Sequence, residues 1–118
     1  RTIYTDGRGH PDNGERTNQG HSIGRWEDGV LVVDTTLFAD NRSAYNTDLG
    51  LPSGSQKHVI ERYALSEDGT HLVVDVFLED PEYLAEPFIG NVIWNYVPHL
   101  ERLRVDCDPE NARRYTLQ

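Results

Sequence analysis

The sequence predicts an all-β domain, and three observations carry that prediction. No stretch shows the 3.6-residue apolar periodicity of a helix, whereas short runs rich in Val, Ile, Thr and aromatic residues recur between clusters of Gly, Pro, Asn and Asp. Two segments, "WEDGVLVVD" (26–34) and "SEDGTHLVVD" (66–75), each read as strand, Glu-Asp-Gly turn and strand. In both, Asp-Gly supplies the positive φ that a tight reversal needs.

Strands are expected at about 2–5, 19–26, 30–38, 56–65, 71–79, 88–97 and 100–106. The first is the short β-branched and aromatic run "TIYT". The second and third flank Asp28-Gly29, and the fourth and fifth flank Asp68-Gly69. The sixth, "FIGNVIWNYV", alternates Phe88, Val92, Trp94 and Tyr96 against Ile89, Asn91, Ile93, Asn95 and Val97. Period-two alternation opposes Leu31, Val33 and Thr35 to Val32, Asp34 and Thr36, and makes the row Leu72, Val74, Val76 and Leu78 a core face. Two related hairpins about forty residues apart suggest a pseudo-symmetric barrel or sandwich; a solenoid would need a third repeat.

At 118 residues the chain suits one domain, 1–118, with a tail from about 108 to 118 loosely attached. Eleven basic against twenty acidic side chains give a net charge of −9. That field repels phosphate backbones and anionic lipid, so no nucleic-acid or membrane partner is expected; cations and neutral ligands such as carbohydrates are compatible with it. Cys107 is the only cysteine, which excludes an intrachain disulfide and a paired-thiolate zinc site. No apolar run reaches membrane-span length. The chain starts at Arg1 rather than Met, which reads either as a processed mature form, then secreted, or as a trimmed chain.

Two long loops, 6–18 and 39–55, interrupt the strands, and loops of that length in small domains commonly serve function. His10 lies in the first, His21 opens a strand directly after it, and His58 opens a strand directly after the second. All three are expected to meet at one open end of the sheet. Gln19 and His21 flank Gly20, and a period of two aims both side chains the same way. Three imidazoles with a carbonyl oxygen or water suit copper, zinc, iron or manganese. His10, Gln19, His21 and His58 are therefore the candidate metal ligands, with the histidines as the reactive centre. Trp26 and Tyr45 are placed near that end as substrate-contacting aromatics, with Arg25 beside them. A glycosidase-like carboxylate pair, such as Asp34 with Glu61, is open but carries no motif. Taken singly, each histidine is more commonly a surface residue than a ligand, and no His-x-His or His-x-x-x-His pair is present.

The run "GHSIGRW" followed by "EDGVLVVDTTLF", with "GRGHP" before it and "KHVIERY" after it, resembles a group of small bacterial proteins. Their nearest functional counterpart is the family of copper-dependent cellulose oxidative cleaving enzymes, which have a cupin-type β-barrel. The resemblance spans about residues 1–106. It implies a cupin-like barrel or jelly roll, copper held by His10, His21 and His58 with Gln19 as a fourth ligand, peroxide or oxygen as co-substrate, and cellulose or a related β-glucan as substrate. A histidine brace built on an N-terminal His cannot form, because residue 1 is Arg. The cupin His-x-His spacing with a following Glu is also missing.

The expectation is thus a secreted, copper-dependent oxidoreductase that cleaves β-1,4-glucan, with a homodimer formed through spare apolar sheet faces. Its rivals are a non-catalytic carbohydrate-binding β-sandwich module and a zinc- or manganese-dependent hydrolase or isomerase using the same residues.

Overall fold

The protein is described by a computed structural model in which residues 1–40, 51–104 and 108–110 are placed. Six strands form one sheet: β1 (Ile3–Tyr4), β2 (His21–Glu27), β3 (Val30–Thr36), β4 (His58–Leu65), β5 (His71–Glu79) and β6 (Phe88–Asn95). Their order in the sheet is their order in the chain. β2 to β6 are an antiparallel meander, and β1 adds in parallel to the outer side of β2. Among the described residues no helix is long and apolar enough to cross a membrane.

The all-β expectation is met, but the sheet is open. β1 and β6 stand at opposite ends of the strand order and do not pair, so the expected β-barrel or jelly-roll closure is absent from the described residues. The expected strand at 100–106 is also corrected: residues 100–104 form no strand, and 105–106 lie outside the described residues.

Backbone conformation sets two strand ends inside their expected limits. Gly20 has φ of +69° and Leu37 has φ of +60°, a left-handed geometry that extended pairing does not accept. β2 therefore begins at His21 and β3 stops at Thr36. Gly20 is also sterically required, since a Cβ there would lie 2.5 Å from the Thr36 carbonyl oxygen and 2.9 Å from Thr35 Cγ2.

The two look-alike hairpins turn differently. Asp28 (φ +49°) and Gly29 (φ +81°) make a two-residue reversal between β2 and β3, as a primed turn requires. Between β4 and β5 the chain uses five residues, 66–70, and only Gly69 is left-handed. There Asp68 Oδ1 accepts hydrogen bonds from Ser66 Oγ (2.6 Å), Thr70 N (3.0 Å) and Thr70 Oγ1 (2.7 Å). These bonds hold the carboxyl far below its usual range.

Directly opposed residues share a face, so the register sorts the side chains. Leu31, Val33 and Thr35 pair with Tyr63, Glu61 and Val59, which pair in turn with Val74, Val76 and Leu78. The core sits at the centre of this sheet: Val32, Val33, Val74 and, just past β3, Phe38 are buried. Of the row 72, 74, 76 and 78, only Val74 is fully buried; the others are half-covered. Ser22 and Thr35, both buried, satisfy one another through a 2.8 Å hydrogen bond.

Outside the sheet, the first loop is tied down. Thr17 N donates to Leu37 O (3.1 Å) and Ala39 N donates to Thr17 O (2.7 Å). Arg16 Nη1 donates to Phe38 O and Ser55 O. The loop that carries His10 is thereby fixed at the end of the sheet where β2 and β4 begin.

Candidate functional site

His21 opens β2, His58 opens β4, Asp34 lies near the end of β3 and Glu79 closes β5. Antiparallel pairing puts these starts and ends at the same edge of the sheet. The register also puts them on one face: His21 pairs with Thr36, Ile60 with Asp34, and His58 with Glu79. Asp34 and His58 are two strand positions apart in parity, so both point the same way as His21. We call this the histidine face.

His10 arrives from the first loop and joins them. Its Nδ1 is 2.8 Å from His21 Nδ1, and its Nε2 is 2.9 Å from Asp34 Oδ1. His58 Nε2 is also 2.9 Å from Asp34 Oδ1. Two imidazoles, His10 and His58, thus meet at a single carboxylate oxygen, and the third, His21, joins them through His10. All four side chains are partly shielded, with 23% exposure at His10, 24% at Asp34 and 31% at His58.

Proton bookkeeping follows from the acceptor. A carboxylate can only accept, so His10 and His58 each donate through Nε2. In neutral His10 this leaves Nδ1 as the acceptor, and His21 then donates through its own Nδ1. The His58 Nδ1 lies 3.5 Å from Glu79 Oε2, an ion pair whenever that ring is protonated.

His21 is packed on its other side by Tyr4, whose ring stacks at 5.3 Å with 21° between planes. The Arg8 guanidinium covers the far face of the assembly, 4.0 Å from the Tyr4 centroid, an attractive cation–π arrangement. Arg8 is itself held by Asp6, and that pairing draws the Asp6 carboxyl down to about 2. Partial burial, followed by the nearby His10 and Arg8 charges, holds His21 below the ordinary imidazole range.

The fit of this donor set to a metal ion is one of kind. Imidazole nitrogens with one carboxylate oxygen suit Cu(II), Zn, Fe or Mn. In placement, however, the nitrogens face one another. Among the described residues no group of three His, Cys, Asp or Glu side chains is arranged to hold an ion. In a tetrahedral shell with bonds of about 2.0–2.1 Å, neighbouring donors stand about 3.3 Å apart. The 2.8–2.9 Å contacts here are hydrogen bonds, and His10 spends both ring nitrogens on different partners.

Two concavities flank the cluster. One of about 300 Å³ is lined by His58, Glu79, Gln56 and Leu84 among others. The other, about 350 Å³, lies on the His21 side and includes Tyr4, Pro11 and Gln19. Both are at the small end for ligand pockets.

The remaining expected site residues are not gathered in. Gln19 lines the second concavity, but it precedes β2, and the left-handed Gly20 breaks the alternation that would have aimed it beside His21. No hydrogen bond among the described residues joins it to the cluster. Arg25 is on the histidine face but four residues along β2, about 13 Å away at ~3.3 Å per residue. It is engaged with Glu27 at 2.7 Å. Trp26 pairs with Leu31, which puts it on the opposite face, 68% exposed. Tyr45 lies outside the described residues. Asp34 and Glu61 cannot act as a carboxylate pair, because Glu61 pairs with Val33 and points away from Asp34. In its place Glu61 accepts from Tyr63 OH (2.8 Å) and meets Arg1 Nη1 at 2.7 Å.

Sequence reasoning missed Asp34, Tyr4 and Glu79 as members of the site. For Asp34 a signal existed: a carboxylate inside "LVVDTT" sits where a strand ordinarily places an apolar or hydroxyl side chain.

No family model matches the chain, and neither the curated proteins nor the solved structures offer a match. The functional reading therefore rests on the residues themselves.

Proposed function

We propose that the cluster of His10, His21, His58 and Asp34 is the metal centre of a copper-dependent oxidoreductase that cleaves cellulose or a related β-1,4-glucan. The observation that carries the reading is the gathering of three imidazoles from separate segments, His10 and His58 on Asp34 at 2.9 Å and His21 on His10 at 2.8 Å. Side chains recruited over such sequence distances on one partly shielded face form a polar cluster that packing alone does not require.

His10, His21 and His58 would hold the ion, with Asp34 as fourth donor or as the carboxylate that orients two of the rings. Copper held there would supply reversible one-electron chemistry between Cu(II) and Cu(I). With peroxide as co-substrate the reaction balances as R–H + H2O2 → R–OH + H2O at a carbon of the glycosidic link. The new hydroxyl then loses its proton as the neighbouring sugar leaves as an alcohol, giving a lactone or ketone end. The chain's own contribution is to orient the rings through Asp34, shield His21 with Tyr4 and leave the concavity beside His58 and Glu79 for the substrate. Such an enzyme would work outside the cell, where its polymer is. The reading adopts the open sheet as its scaffold; a cupin-type barrel would need β1 and β6 to close.

One observation favours a second reading. Asp34 adds a hard oxygen to the donor set, which suits zinc or manganese and a hydrolase or isomerase as well as it suits copper. Loading the purified protein with Cu(II), Zn(II) or Mn(II) separates the two, with metal content by elemental analysis and nitrogen hyperfine structure by EPR for copper. Product analysis on cellulose with peroxide follows. One copper per chain, coupling to three nitrogens and oxidised sugar ends are expected. Hydrolytic ends with zinc or manganese favour the second reading, and full occupancy in His21→Ala removes the site assignment. No stoichiometric metal at all leaves the exposed aromatics Trp26 and Trp94 of the opposite face as the basis for a non-catalytic carbohydrate-binding module.

A further inference from the structure

We infer that β6 is the self-association edge of the protein, pairing antiparallel with β6 of a second copy about a two-fold axis at Asn91. β6 is the last strand of the sheet, and its outer edge has no strand beside it among the described residues. Among the described residues that follow, 101–104 form no strand.

An eight-residue edge of this kind is an open template for pairing, and proteins ordinarily guard such edges with Lys, Pro, bulges or short strands. β6 has none of these. Its sequence, FIGNVIWN, contains no charged residue and no proline. Its register with β5 runs unbroken from Phe88 to Asn95. The other edge shows the contrast, since β1 is two residues long.

Both faces of β6 carry exposed apolar side chains among the described residues. Phe88 is 56% exposed, Ile89 76%, Val92 43%, Ile93 59% and Trp94 52%. A chain of net charge −9 repels a copy of itself over most of its surface. The uncharged strand is where two copies can approach.

The occupant is a second copy because the strand complements itself. Pairing centred on Asn91 puts Phe88 opposite Trp94 of the other copy, Ile89 opposite Ile93 and Gly90 opposite Val92. Each pair then lies on a common face, and the two Asn91 amides meet. Aromatic and β-branched cross-strand pairs of this type are the stabilising unit of sheets. The five apolar side chains offer on the order of 500 Å² per partner, below the ~800 Å² of a standard interface. Dimerisation should accordingly depend on concentration in the micromolar range.

Sedimentation velocity of the full chain from about 1 to 200 μM is the test, with the double variant Ile89→Lys/Ile93→Lys alongside. A dimer that forms with rising concentration and is lost at least tenfold in the variant supports the inference, with far-UV circular dichroism reporting whether the variant keeps its sheet. A second measurement stands if the variant misfolds. In a Cys107→Ser background, Asn91→Cys should oxidise to a covalent dimer, whereas Asp75→Cys, one strand inward, should not. A monomer at all concentrations, a dimer indifferent to the lysines, or equal crosslinking at positions 91 and 75 overturns the pairing.

Discussion

Replacing Asp34 with alanine removes the one atom on which the cluster is built. Asp34 Oδ1 accepts from His10 Nε2 and from His58 Nε2, both at 2.9 Å. A hydrogen bond to a charged acceptor contributes about 1.5–3 kcal/mol when well shielded. The three side chains keep 23–31% of their exposure, so water competes, and we take about 1 kcal/mol for each bond. The expected loss is then about 2 kcal/mol. With urea m-values of about 1–3 kcal/mol/M, the unfolding midpoint should fall by about 1 M at unchanged slope. Asp34→Asn, which keeps one oxygen but not the charge, should lose roughly half as much. His10 helps to anchor its loop on the sheet beyond the Arg16 and Thr17 ties, so amide exchange around residue 10 should quicken in Asp34→Ala while β4 and β5 stay protected. Copper affinity should drop by about 10- to 100-fold, the usual effect of losing a carboxylate that orients a ligating histidine. A midpoint within about 0.2 M of the parent, with copper affinity unchanged, would refute the reasoning that Asp34 organises His10 and His58.

Gly20→Ala should cost more than about 2 kcal/mol in the same denaturation experiment, because the left-handed backbone is penalised by about 1–2 kcal/mol and the new methyl would meet the Thr36 carbonyl at 2.5 Å. His21 is held below its ordinary value of 6.5 in the fold, so the unfolded chain takes up this proton first. Stability is therefore full above about pH 6.5 and is lost as pH falls from there through the lower folded value; midpoints measured from pH 8 to 5 should show this slope, and His21→Asn should flatten it. Trp26→Ala, on the face away from the histidines, should leave copper stoichiometry and the EPR spectrum unchanged, and a changed hyperfine pattern would contradict the face assignment. Asp80 is buried, and its Oδ2 accepts from Gly54 N at 2.7 Å. Asp80→Ala should therefore cost about 1–3 kcal/mol by leaving that amide without its acceptor, and a neutral result would contradict its role in pinning the segment before β4.

How much of this was legible in the residues depends on the range of the interaction. Alternation within a strand is local, and it sorted residues 31 to 36 onto the correct faces. The same parity rule, applied through β2, separates Trp26 from His21 by an odd number of residues, so its place on the far face was available before any coordinates. Gln19 lines the same concavity as His21, but alternation is not what places it there. Parity holds only while the backbone stays extended, and the left-handed Gly20 ends that condition one residue before the strand begins.

Asp34 marks the boundary between local and non-local information. Its oddity inside an apolar strand was visible, but its partners depended on which strands became neighbours. Only the register, with Ile60 rather than Val59 opposite Asp34, brings His58 onto the same face and turns Glu61 away. Closure of the sheet lies further still from local chemistry. Whether β1 and β6 meet depends on accumulated twist and stagger over six strands, and no short segment encodes it. The two hairpins suggested a pseudo-symmetric barrel or sandwich, but they carried nothing about the two edges of the sheet. The uncharged outer strand then becomes informative in its own right, because an edge with no strand beside it among the described residues and no charge to guard it is an open template for pairing.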